Sequence, residues 1–173
     1  EDGSVTYMLS GGQWAPTDNY YLRWGNEPVT YSAFYPVTEG TSVANFSLPI
    51  NQQSLENLAS ADYMTCTVED AINEGSGVLH LNMNRRMAKV IMTLDDIDSQ
   101  SKALGVKIGS YQGYTDGNVS SGTALVSPYV TIPEGGKAGQ SGCKYTAIVA
   151  PGAANPNSTF VSLNYKGEDL VLP

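Results

Sequence analysis

His80 is the single histidine among 173 residues. Any arrangement that relies on imidazole, Ser-His-Asp or Cys-His, must therefore pass through that one position. It falls on the polar side of an alternating run in which Leu79, Leu81 and Met83 oppose His80, Asn82 and Asn84. A half-exposed strand histidine is the ordinary outcome of such a pattern, and one histidine cannot build a multi-histidine metal site. "DDIDS" gathers Asp95, Asp96 and Asp98 but lacks the regular spacing and terminal Glu of a dedicated calcium loop. Glu69, Asp70 and Glu74 are outward-facing acids of the kind strand ends carry, and no carboxylate pair stands out for glycosidase chemistry. "SGG" at Ser10 and the pair Gly135-Gly136 have no helix behind them to present phosphate-binding amides, so they read as turns. No catalytic, cofactor or metal role is expected of any residue, and the protein reads as a non-enzyme.

Two residue sets remain. Cys66 and Cys143 each fall in a predicted strand, where a buried thiol is the plain expectation and a disulfide between them the alternative; their separation matches no zinc motif. Trp14, Tyr20, Tyr21, Trp24, Tyr111 and Tyr114 are more large rings than a core of this size must hide. Trp14, Trp24, Tyr111 and Tyr114 are the candidate glycan contacts, since a flat ring on a β-protein can stack on a sugar. Against this, Tyr and Trp are good sheet formers that cover a core with one polar end wet.

The elements that would position these groups are nearly all strands. Val5, Tyr7 and Leu9 alternate with Thr6 and Ser10, and Tyr20, Leu22 and Trp24 with Tyr21 and Arg23; both read as half-buried strands. "VTYSAFYP" places Val29, Tyr31, Ala33 and Tyr35 on one face and stops at Pro36, because proline cannot continue a ladder. "FSLPI" reads as a short edge strand. Ser54 is placed to cap one short helix, with Leu55 and Leu58 packing down. "DYMTCTVED" puts Met64, Cys66 and Val68 inward. "ALGVKIGSY" offers Leu104, Val106 and Ile108 against Gly105, Lys107 and Gly109. "TDGN" is a strong turn signal. "YVTIP", "KYTAIVAP" and "TFVSLNYKG" complete the set, with Lys166-Gly167-Glu168-Asp169 as a turn. About nine or ten short strands at this spacing, with at most one short helix, predict an antiparallel β-sandwich.

One run changes parity. Leu79, Leu81 and Met83 give way, past Arg85 and Arg86, to Val90, Met92 and Leu94, so the strand bends, bulges or passes between sheets. The expectation is a strand serving two parts of the sandwich, with both arginines at the changeover facing solvent or acidic loops.

Length and charge bound the rest. A chain of 173 residues and 18.4 kDa suits one domain over 1–173 with a substantial core. A net charge of −8 repels phosphate backbones and anionic lipid heads, which argues against nucleic acid or membrane-surface partners. Abundant Gly, Tyr, Ser, Thr and Asn with 15% charged residues suit an extracellular β-protein. No segment reaches the roughly 18 apolar residues of a membrane helix. The opening "EDGSVTYML" has no charged and apolar leader pattern, so any export signal is expected to have been removed. Sequons at Asn45, Asn118 and Asn157 mark polar loops.

The order of these segments resembles the fimbrillin-like proteins of Bacteroidetes, the type V pilin family. The matching positions are Trp24; Ala33, Phe34, Tyr35 and Pro36; Leu48, Pro49, Gln53 and Ser54; Asp62, Tyr63 and Met64; Met83, Arg86, Met87, Ala88, Lys89 and Val90; and Val149 with Pro151. Arg85 stands where the family usually has His. Family members usually continue past "LVLP" into a further strand and often a second domain, so the expectation is a fragment or an uncovered sheet edge. The resemblance implies a Greek-key, transthyretin-like sandwich. It also implies a structural subunit or anchored adhesin of a surface fimbria, made as a lipoprotein, that joins other subunits by donated strands. The corresponding place is the outer membrane surface, reached through a lipid anchor absent from this chain. An open sandwich edge is a template for such strand addition. The rival reading is a non-polymerising surface lipoprotein module that binds host or dietary glycans through exposed rings; besides other fimbrial subunits, the expected partners are host or bacterial surface glycans or proteins.

Overall fold

The computed structural model describes residues 3–24, 26–73, 75, 77–152 and 158–173. Glu74 and Asn157, singled out above, lie outside them. The chain divides into two compact units, Glu1–Ala33 with Cys66–Asn82, and Phe34–Thr65 with Met83–Pro173. The fold is all-β and antiparallel, a β-sandwich with one helical turn and a half.

In the first unit, β1 (Tyr7–Ser10) and β2 (Gln13–Pro16) form a hairpin that pairs with no other described strand. Gly11 and Gly12 make its turn at φ +59° and +81°, as a two-residue hairpin loop of the primed type requires. Both faces of β1 are exposed, so the expected half-burial does not occur: a lone two-stranded ribbon has no sheet to lie on. Tyr20, Leu22 and Trp24 form no strand. Their alternation records side-chain chemistry and supplies no pairing partner. The first part of β3 (Val29–Tyr35) and the later part of β5 (Met64–Ala71) complete this unit, with Ser32 Oγ and Thr67 Oγ1 3.3 Å apart.

The second unit is the sandwich proper. One sheet runs β11 (Thr123–Val126), β8 (Ala103–Tyr111), β14 (Val161–Tyr165), β15 (Glu168–Leu172); the facing sheet runs β12 (Tyr129–Thr131), β13 (Lys144–Val149), β7 (Ala88–Thr93). Two clusters fill the space between them. Ile108, Val126, Ala147 and Val149 join Phe46, Tyr63 and Tyr114 in the larger, and Val106, Tyr145 and Leu94 pack with Met92 and Leu163 in the smaller. A third sheet runs β10 (Asn118–Val119), β9 (Gly113–Thr115), β4 (Phe46–Ser47). Asp116 and Gly117, at φ +49° and +76°, form the expected turn between β9 and β10. Lys166 and Gly167 form the same turn between β14 and β15, and Glu168 and Asp169 already belong to the strand. Segments as short as β4, β9 and β10 leave no alternation to read, so the described strands outnumber those visible in the sequence.

The helix α1 (Leu55–Ser60) begins where Ser54 places it, with the Ser54 Oγ accepting the Asn57 N–H at 3.1 Å. Leu58 packs on the core, but Leu55 stays exposed. A second correction concerns β8. Ala103, Val106 and Ile108 are buried while Leu104 is 57% exposed. The ladder explains it: Ser162 pairs with Lys107 and Asn164 with Leu104, so three steps on β8 match two on β14. Gly105, at φ +59°, takes up the extra residue as a bulge and reverses the parity of Leu104.

The parity change at the arginines is a passage between sheets. β6 (Asn84–Arg85) pairs with the start of β5, and β7, three residues on, pairs with β13. Leu79, Leu81 and Met83 lie outside any strand, so the first half of the expected strand shrinks to β6. Arg85 Nε donates to Asp62 at 2.9 Å, and Arg86 lies over the Tyr114 ring and donates to the Gly117 carbonyl at 3.1 Å. Both arginines are exposed at the changeover. Because the Arg85 side chain is mostly solvated, Arg85→Ala is expected to cost no more than about 1 kcal/mol in a denaturant melt.

Candidate strand-acceptor edge

The four aromatic candidates divide between the units. Trp14 is 62% exposed on β2, beside Leu9 across the hairpin; Trp24 is half-buried and meets Tyr31 edge-on at 5.6 Å. In the second unit Tyr111 is half-buried and bridges to Ala150. Tyr114 is 7% exposed, tilted against Tyr63 at 5.4 Å, and donates its hydroxyl to the Arg86 carbonyl at 2.6 Å. Its ring is packed into the core.

The remaining groups also take structural positions. His80 is exposed and outside any strand. Cys66 and Cys143 are buried free thiols; Cys66 points inward from β5, whereas Cys143 sits just before β13 and donates to the Lys137 carbonyl at 3.2 Å. Asp98 accepts the Gln100 N–H at 2.9 Å and Lys166 Nζ at 3.3 Å. Those bonds hold its carboxyl below the usual carboxylate range. Among the described residues no three His, Cys, Asp or Glu side chains gather as a metal set.

The feature with most scope for recognition is backbone. β7 ends its sheet, and no described strand pairs with its outer edge. Which of its groups point outward follows from Gln52, which sequence reading passed over in favour of its neighbours. Gln52 is fully buried. Its side-chain amide donates to the Ile148 carbonyl and accepts the Ile148 N–H, both at 2.8 Å, and also donates to the Pro49 carbonyl at 3.0 Å. Ile148 therefore turns both backbone groups away from β7. Its partner on β7 is Lys89, and in an antiparallel ladder bonded and non-bonded pairs alternate. Lys89, Ile91 and Thr93 thus direct N–H and C=O to the free edge, while Ala88, Val90 and Met92 bond to β13.

β15, at the edge of the other sheet, keeps apolar side chains exposed. By register, Leu170 and Leu172 of β15 lie on the same side as Leu163 and Val161 of β14. Val161 is buried, yet Leu170 and Leu172 are 44% and 57% exposed. Met92 of β7 and Leu163 of β14 share one core cluster, as Ala147 of β13 and Ile108 of β8 share the other. β13 thus packs across from β8, and both clusters also draw on β7. Separately, a groove of about 800 Å³ is lined by Ala88 and Val90 of β7, Ala124 and Leu125 of β11, and Val149 and Phe160 among others. Unpaired amides beside an uncovered apolar strip are what an added strand needs.

The chain belongs to the fimbrillin-like family, whose model matches residues 2–173. No curated protein matches it. Among solved structures it is similar to a candidate cell adhesion protein of Bacteroides uniformis, with a TM-score of 0.64 and 14% identity over 99% of this chain and 71% of that one. At that identity the likeness is one of fold. Family membership makes this a surface protein of the fimbrial or adhesion kind.

Proposed function

We propose that the protein is a non-enzymatic structural subunit or anchored adhesin of a bacterial fimbria at the outer membrane surface, joined to other subunits by strand addition along β7. The supporting observation is the free β7 edge together with the apolar groove that Ala88 and Val90 of the same strand line. A strand seated there bonds to Lys89, Ile91 and Thr93 and buries apolar side chains of both sheets. Its inward residues are apolar at every second position.

Synthetic strands of that pattern, added to the purified chain, are expected to raise its melting temperature. Ligand at 100 times Kd stabilises by about 2.7 kcal/mol, or roughly 5–11 °C for a chain of this size. Ile91→Pro removes one outward N–H without touching the bonds to β13, and proline is tolerated on an edge. That variant should fold and lose most of the shift. A chain whose melting point no alternating peptide moves would end the strand-addition reading.

The exposure of Trp14 on a hairpin that pairs with no other described strand favours a second reading, a module that binds glycans by stacking. Trp14→Ala should then abolish adhesion to glycan-coated surfaces while leaving the melting temperature within about 1 °C, since an exposed ring contributes little to the core.

A further inference from the structure

The β1–β2 hairpin and the β7 edge share no ladder in this chain, yet their backbone patterns match. Just beyond the Tyr7–Pro16 pair, the Thr17 N–H donates to the Thr6 carbonyl at 2.9 Å. Bonded and non-bonded pairs alternate along an antiparallel ladder. Met8–Ala15 and Ser10–Gln13 are therefore bonded pairs, whereas Tyr7–Pro16 and Leu9–Trp14 are not. Tyr7 and Leu9 turn their N–H and C=O to the outer edge of β1. On the outer edge of β2 the corresponding position is Pro16, which has no N–H to give. β1 is thus the side of the ribbon able to add to another sheet. Cross-strand partners share a face, so Tyr7, Leu9, Trp14 and Pro16 form one wholly apolar face, on which Tyr7, Leu9 and Trp14 are exposed.

We propose that the strand accepted by β7 is β1 of a second copy of this chain, and that it joins in the parallel direction. The proposal rests on the strand-addition reading above. Direction follows from the faces. On β7, Lys89, Ile91 and Thr93 hold the outward backbone groups and have exposed side chains, while Ala88, Val90 and Met92 pack on the core. In antiparallel addition bonding residues stand opposite one another, which would put Tyr7 and Leu9 on the solvent face with Ile91 and Lys89. In parallel addition each bonding residue falls between two bonding residues of its neighbour. Thr6, Met8 and Ser10 then stand opposite Lys89, Ile91 and Thr93 on the solvent face. Tyr7 and Leu9 join Val90 and Met92 on the core side, with Tyr7 at the groove that Ala88 and Val90 line. Only the parallel direction buries the apolar face of the ribbon.

Charge agrees with that direction. The open end of the hairpin has Asp18 beside it, and Glu1 and Asp2 precede β1 in the sequence. Parallel addition sends this acidic end toward Arg86 and Lys89 and leaves the uncharged turn, Ser10–Gln13, toward Asp95 and Asp96. The opposite direction sets acids against acids. Two separate chains also need no crossover to place their strands in parallel.

The test mixes whole chains that each carry one added cysteine, under mild oxidation; the native Cys66 and Cys143 are buried. Ile91→Cys chains should link to Met8→Cys chains, because those positions stand directly opposite in the parallel register. Linking to Tyr7→Cys chains, opposite Ile91 in the antiparallel register, should be much slower. The reverse order would overturn the direction, and equally slow linking of both pairs would overturn the pairing of β1 with β7. Tyr7→Pro removes one outward N–H from β1 without touching the bonds to β2. In sedimentation velocity it should weaken self-association about ten-fold, the equivalent of one hydrogen bond. It should also keep the full melting shift with synthetic strands, because its β7 is intact. A native chain that stays monomeric at high concentration while synthetic strands still raise its melting temperature would overturn β1 as the donor and leave strand addition standing. No shift with any strand would end both.

Discussion

Tyr63→Ala is expected to lose about 4 kcal/mol of stability, a fall of roughly 8–16 °C in melting temperature. Tyr63 is 1% exposed. Its ring stacks on Phe46 at 4.7 Å with the planes 2° apart and meets Tyr114 at 5.4 Å. The cavity left by alanine would lie in the larger core cluster, between rings too rigid to close it. The Tyr63 hydroxyl donates to the Ser42 carbonyl at 2.8 Å, so Tyr63→Phe should cost a smaller amount, about 1–2 kcal/mol, from the carbonyl left unpaired. Burial raises the Tyr63 hydroxyl above the usual tyrosine range; Arg86 opposes that and Tyr114 adds to it. The folded protein therefore holds this proton more tightly than the unfolded chain. Its stabilisation is complete below about pH 10, the ordinary tyrosine value, and is lost as pH rises through the raised folded value. Urea melts from pH 8 to 11 should show the alkaline fall in the native protein and a shallower one in Tyr63→Phe. An identical alkaline limb in both would remove Tyr63 as its origin.

Gln52→Leu is expected to cost about 3 kcal/mol, roughly 6–12 °C, although it places an apolar side chain of similar size in a buried position. The reason is the three bonds described above. Strand β12 pairs with β13 at Thr146, Tyr145 and Lys144, and beyond Thr146 the Gln52 amide stands where a further strand residue would. Its own N–H meanwhile donates to the Ser127 carbonyl at 2.9 Å, and the Ser127 N–H donates to Ile50. Gln52 thus ties the crossover between the two sheets to the middle of one of them. Leucine leaves the N–H and C=O of Ile148 buried and unpaired. Gln52→Glu should be worse still at neutral pH, because a carboxylate accepts only and its charge would be desolvated. Chemical denaturation of the three proteins at pH 7 checks the order. A Gln52→Leu variant as stable as the native chain would mean that water replaces the amide.

The sequence reading found such features where one residue type or one period carries the answer. Ser54 caps α1, Asp116-Gly117 and Lys166-Gly167 turn, and Met64, Cys66 and Val68 face inward, as their types predict. Gln52 was missed beside Gln53 and Ser54 because its role comes from Ile148, 96 residues away; nothing local separates a buried glutamine from an exposed one. Leu104 was misplaced because a bulge is written in the ladder between two strands, and Gly105 marks it only once β14 is known to be the partner. The sequence offered an uncovered sheet edge as one of two alternatives, and nothing in it pointed to β7.

By itself the sequence determined the all-β antiparallel class, the family, the principal turns, the helix cap and the change of sheet at Arg85 and Arg86. These follow from period, proline and glycine geometry and side-chain capping, which act within a few residues. The tertiary structure alone decided that Tyr114 is packed into the core while Trp14 is exposed, that Leu170 and Leu172 lie bare, and that Lys89, Ile91 and Thr93 offer their backbone outward. Each of those depends on which strands lie side by side, and that is settled by burial and hydrogen bonding summed over the whole sandwich.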